Sequence, residues 1–183
     1  MHLNLSWLFA AMLAGPTPGD LAEDSGSLAA HLAAVQALEA VYGPRSRAGF
    51  GSAVFVESDV SDDELELVAL GTYRGFLGEQ WARRESAWRG GFRLLYMRPA
   101  SGVGIIAELS TLTDPAMGSV AELLVDNMGD PAAARAALTS AFDAEDVIQL
   151  RLYALGDGEQ YTGVEIAARR ADGNAIMLIL LLD

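Results

Sequence analysis

Between Ser61 and Trp81, in SDDELELVALGTYRGFLGEQW, apolar positions recur every three to four residues, and this spacing predicts a helix over 61–82. At about 100° per residue, Leu65, Val68, Ala69, Thr72, Tyr73 and Phe76 form one stripe, with Leu70, Leu77 and Trp81 on another side. A helix apolar on two sides is expected to be covered over most of its circumference. Ser61 is placed to cap the first amides, Glu64 to reach back to it, and Val60 to staple onto Leu65. Gly71, Gly75 and Gly78 share a third side. Each costs about 1 kcal/mol against Ala in a helix, so another backbone is expected to approach closely there, or else a ligand to lie on the glycines.

The same periodicity predicts a helix over 27–42, closed by Gly43-Pro44, and a helix pair over 115–142. The first of that pair is opened by Asp114-Pro115 and ended by Gly129, and the second is opened by Asp130-Pro131. Alternation with a period of two predicts a strand over 50–57 and a hairpin over 92–109. It also predicts a three-strand meander over 147–182, turning at Gly156-Asp157-Gly158 and at Asp172-Gly173. The last strand, AIMLILLL, is apolar on both sides and needs cover on both. Residues 1–15 read as an apolar helix, a candidate for that cover; a second subunit is the alternative. These elements imply one α+β domain with a mostly antiparallel sheet of about five or six strands. Four to five helices are expected mainly on one face of it.

Residues 3–14 are too few to span a bilayer as a helix, so a membrane role is not expected. A cytoplasmic protein is expected, or a secreted or periplasmic one if residues 1–14 act as a signal, although no Lys or Arg precedes the apolar run. The chain has 183 residues and a formal net charge of −13, which disfavours a nucleic-acid partner and allows a basic protein partner. All twelve basic residues are Arg, a bias of bacterial type, and there is no Lys or Cys. Schiff-base, Walker-lysine, thiolate and disulfide chemistry are thereby excluded.

No catalytic residue, metal site or cofactor is assigned. There is no G-x-S-x-G, and the two histidines, His2 and His31, lie near the N-terminus without a partner at ligand spacing. Paired acids such as Asp62-Asp63 stand at element boundaries, where capping accounts for them, which leaves carboxylate chemistry inside a pocket open. Arg83, Arg84, Arg89, Arg93 and Arg98 are a local excess of positive charge, read as a solvated rim or an anion site. Alternation in the meander puts Arg151, Tyr153, Glu165 and Arg169 on one sheet face, which makes them the candidate ligand-binding set; a cross-strand Arg151–Glu165 ion pair is the alternative. With a two-residue loop at Asp172-Gly173, Glu165 is expected opposite Leu180 and Arg169 opposite Ile176. Trp7, Asp62, Asp63 and Glu66 are the candidate partner-binding residues. The resulting expectation is a non-enzymatic acidic binding protein, of the inhibitor, immunity or adaptor kind, that engages a protein partner. The alternatives are a small-molecule-binding or lyase/isomerase-like enzyme using the sheet face, and a structural subunit of a homo-oligomer.

Overall fold

The structure is a computed structural model that describes residues 18–183, with side chains from Leu28 onward. The described residues divide into two units, parted between Ala33 and Ala34. In the first, the described part is the start of helix α1 (Pro18–Tyr42), where His31 is buried while Leu28 and Leu32 are exposed. The helix expected over 27–42 thus begins at Pro18, since proline suits a first turn whose amides have no partner. The helix expected over 1–15 lies outside the described residues, and so does Trp7.

The second unit continues through β1 (Gly51–Glu57), α2 (Leu65–Leu77), α3 (Glu79–Arg83), α4 (Glu85–Gly91), β2 (Arg93–Met97) and α5 (Ile105–Thr111). A two-residue ladder of β3 (Thr113–Asp114) and β4 (Gly118–Ser119) and a π-helical turn (Glu122–Asp126) lead into α6 (Pro131–Phe142). The strands β5 (Val147–Gly156), β6 (Thr162–Arg170) and β7 (Ala175–Leu182) complete it. The main sheet is antiparallel in the order β1-β7-β6-β5-β2. This is the α+β class expected, with five strands in the principal sheet.

The helices, expected mainly on one face, divide between both. Val54, Leu152, Val164, Ile166 and Leu178 pack with Leu38 and Tyr42 of α1, Ile105 and Leu109 of α5, and Leu138 and Phe142 of α6. Phe55, Tyr153, Met177 and Ile179 pack on the opposite side with Tyr73 and Phe76 of α2, Trp81 of α3 and Trp88 of α4. The cause is β7: it lies between β1 and β6, is buried from Ala175 through Leu181, and presents apolar side chains to both faces. Helices of its own unit supply that cover, so neither a second subunit nor residues 3–14 is needed for it.

Three expected elements differ. The helix over 61–82 is shorter and in two pieces, because Gly78 at φ 55° ends α2 and α3 restarts beyond it. The hairpin over 92–109 is not formed: β2 pairs with β5, and its expected return strand is helix α5. Asp143 stabilises that helix from outside, its carboxylate accepting the Ile105 amide at 2.8 Å, while Ile105 and Leu109 turn inward one helical turn apart. Of the helix pair over 115–142, α6 forms with Asp130 Oδ1 capping Ala132 and Ala133 at 3.0 Å. The first helix gives way to the small ladder and the π-helical turn. Asp114 is the reason, since one oxygen holds the Ala116 amide at 2.9 Å and the other pairs with Arg93, which keeps the chain in a turn there.

The β6–β7 register also differs by one residue. Arg170 N–H donates to Asn174 O at 2.8 Å and Gly173 N–H to Arg170 O at 3.1 Å, so the loop has three residues, with Gly173 at φ 85°. Glu165 therefore faces Ile179 instead of Leu180, and Arg169 faces Ala175 instead of Ile176.

Candidate binding groove

Arg151, Tyr153, Glu165 and Arg169 do share one sheet face: β5 and β6 place Tyr153 directly opposite Glu165, and Arg151 opposite Ala167. That face carries α2. The segment leading into α2 is fixed to two cross-strand neighbours of the sheet face, Asp62 Oδ1 lying 2.5 Å from Arg169 Nη1 and the Asp62 carbonyl accepting from Gln149 Nε2 at 3.1 Å. One turn on, Glu66 Oε2 lies 3.5 Å from Arg151 Nη1. The two sets of residues singled out in the sequence thus meet: the acids Asp62 and Glu66 are the partners of the arginines Arg169 and Arg151. The alternative Arg151–Glu165 pair is not formed, because Arg151 turns to Glu66.

Beneath α2 the face is filled. Phe92 stacks on Tyr153 at 4.5 Å between ring centroids and on Tyr73 at 6.3 Å, while Trp81 and Trp88 meet Tyr73 edge-on at 5.9 and 6.3 Å. Glu165 has no exposed surface, and burial holds its carboxyl well above the usual carboxylate range. Burial likewise raises Tyr153, with Arg151 pulling the other way, and raises Tyr73, whose hydroxyl accepts the Gly156 amide at 3.1 Å.

The outer side of α2 is open. Here Gly71 and Gly75, with Leu67, Val68 and Thr72, form one wall of a groove of about 390 Å³; Phe55, Val60, Arg45 and Arg47 line the rest. A Cβ added at Gly71 or Gly75 would meet nothing within 4 Å. The close backbone approach expected at these glycines is therefore not what they serve, and the helix is not covered all round. Their missing side chains leave the groove clear, and Leu67 stands 69% exposed at its lip. Arg45 lies over the Phe55 ring at 5.3 Å and bridges to Glu57 at 3.2 Å.

The groove lining also carries the acids Glu57, Asp59 and Glu64, of which Glu57 is the one paired with Arg45. The Ser61 hydroxyl, 2.6 Å from Glu64 Oε2 and 2.8 Å from Asp63 Oδ1, lowers both carboxyl pKa values, so these exposed groups stay charged. The Ser61 amide reaches Glu64 Oε2 at 3.1 Å, which keeps the expected reach-back contact although α2 itself starts only at Leu65. The arginine excess resolves into ion pairs: Arg83–Glu79, Arg84–Asp157 and Glu159, Arg89–Glu85, Arg93–Asp114, and Arg98–Glu108 and Asp143.

Compared with known families, with curated proteins and with solved structures, the chain matches none. Among the described residues no group of acids and histidines is arranged to hold a metal ion, and no helix is long and apolar enough to cross a membrane. Arg45, Arg47, Phe55 and Leu67 were not singled out in the sequence. The signal that leads to the groove is Leu67-Gly71-Gly75 at four-residue spacing, which puts one apolar residue and two absent side chains on a single line.

Proposed function

We propose that this chain is a non-enzymatic binding protein, of the inhibitor, immunity or adaptor kind, whose groove over α2 holds a basic segment of a protein partner. What supports this reading best is the groove itself, an open channel about 390 Å³ in volume that combines apolar side chains with the acids Asp59 and Glu64. An amphipathic segment fits both features, its small or apolar side against Gly71, Gly75 and Leu67 and its basic residues toward Asp59 and Glu64. Net charge adds steering, since a chain at −13 draws cationic partners and accelerates their encounter at low salt. Asp62 and Glu66 contribute less, because Arg169 and Arg151 already neutralise them.

The sheet-face pocket fits less well, since Tyr153 and Glu165 have no exposed surface under α2. The test is fluorescence anisotropy with a labelled helical peptide carrying arginine on one side and alanine and leucine on the other. The expected result is binding that weakens as salt rises and is lost in Gly71→Leu, whose side chain starts from a Cβ that meets nothing within 4 Å and extends into the groove. Affinity unmoved by both salt and Gly71→Leu would overturn the reading.

A further inference from the structure

We propose that Glu165 is a proton-held latch beneath α2: the helix closes over the sheet only while this carboxyl is neutral, and loss of the proton favours an opened α2. The geometry leaves the carboxylate no compensation. Glu165 is 0% exposed at the centre of the sheet, and neither of its oxygens takes a hydrogen bond from any described residue. A charge in that place lacks both water and a counter-ion.

The groups around it confirm the lack of a counter-charge. From β5, Tyr153 lies directly opposite and Arg151, next on the same face, is turned to Glu66. From β7, Ile179 faces it, and from α2 the nearby titratable group is the Tyr73 phenol. Farther along its own strand, Arg169 is turned to Asp62; at the β5–β6 turn, Asp157 is held by Arg84. Both tyrosines are themselves held above their ordinary range by burial.

The consequence follows from linkage. In the open state the carboxyl regains water and its ordinary affinity for the proton, while the closed state binds that proton far more tightly. Above the ordinary carboxylate range, the ratio of open to closed therefore rises about tenfold for each pH unit until the buried group itself ionises. The same helix forms a wall of the groove, so a segment bridging α2 to β1 opposes the opening. This last link rests on the binding reading above; the latch does not.

Hydrogen exchange read residue by residue on the full chain tests it, comparing wild type with Glu165→Gln between pH 6 and pH 8. Amide exchange is itself base-catalysed, about tenfold per pH unit, so α2 amides in wild type are expected to accelerate more steeply than this, up to about a hundredfold per unit while Glu165 keeps its proton, and in Glu165→Gln only about tenfold. Amides of α6, on the opposite face, are expected to show the ordinary tenfold in both proteins. Equal slopes for α2 in the two proteins would overturn the latch, as would a steep slope shared by α2 and α6, which would make Glu165 a burden on the whole fold. Should the amide variant fail to fold, the carboxyl-carbon NMR titration of wild type decides: a Glu165 resonance titrating with the surface glutamates overturns it, and one titrating far above them supports it. If the basic peptide slows α2 exchange the groove link holds; if it leaves exchange unchanged, that link falls and the latch stands on its own slopes.

Discussion

The same small substitution, glycine to alanine, is expected to act in opposite directions at two places in this protein. At Gly71 an added Cβ meets nothing within 4 Å, so the change brings only the helix preference of Ala over Gly, about 0.8–1 kcal/mol. At Gly75, two residues from the end of α2, the gain is somewhat smaller, and the double variant should gain about 1.5 kcal/mol, or roughly 3–6 °C in Tm for a chain of this size. At Gly163, in the central strand β6, the Cβ would lie 2.1 Å from the Leu180 carbonyl oxygen and 2.8 Å from Leu181 Cα. Both are backbone of β7, so one strand must move away from the other, at a cost of about 1–3 kcal/mol or more. Urea denaturation of the three variants, with mass in solution checked at each protein concentration, reads both signs. A destabilised Gly71→Ala would refute the reasoning, because it would mean that something packs against the face described here as open.

Other consequences are as direct. Asp157 is fully enclosed; burial pushes its carboxyl up, but three backbone amides and the Arg84 guanidinium outweigh this and hold it below its ordinary range. A depressed carboxyl contributes stability that is present above its unfolded pKa and lost as pH falls through the folded one. Asp157→Asn should therefore cost about 1.5–3 kcal/mol at neutral pH, with the gap to wild type closing toward acid in parallel denaturation curves. Asp143→Ala removes the cap on Ile105 and one partner of Arg98, and should cost about 1–3 kcal/mol by urea denaturation while α5 amides lose most of their exchange protection. Phe76→Ala, at 0% exposure between α2 and the sheet, should cost about 3–5 kcal/mol in the same measurement.

What was legible in the sequence, and what was not, divides by the range of the interactions involved. The strands β5 and β6 carry their own alternation, β7 is an unbroken apolar run between turn signals, and α6 carries its own cap in Asp130-Pro131, so local chemistry is enough for these. VGIIAEL reads equally well as strand or helix, and the residue that decides, Asp143, lies 38 positions away from the amide it caps. The shared face of Arg151, Tyr153, Glu165 and Arg169 survived a one-residue error in the β6–β7 register, because the four residues lie on β5 and β6, whose parity that loop does not set. Their occupants were not legible. That α2 lies across this face, pairing Asp62 with Arg169 and Glu66 with Arg151, depends on contacts between distant segments. Likewise, three glycines on one helix side announce only that side chains are missing, and whether a backbone or an open channel fills the space is settled by where β1 and its loops run.

The claim at the centre of this account is that the outer side of α2 is a binding surface. An isotope-labelled sample titrated with the basic amphipathic peptide and followed by amide NMR addresses it most directly. The account predicts that the resonances of Leu67, Gly71, Gly75, Arg47 and Asp59 shift together and saturate, while those of α5 and α6 on the opposite face stay in place. Shifts confined to α5 and α6, or no saturable shift along α2, would contradict it.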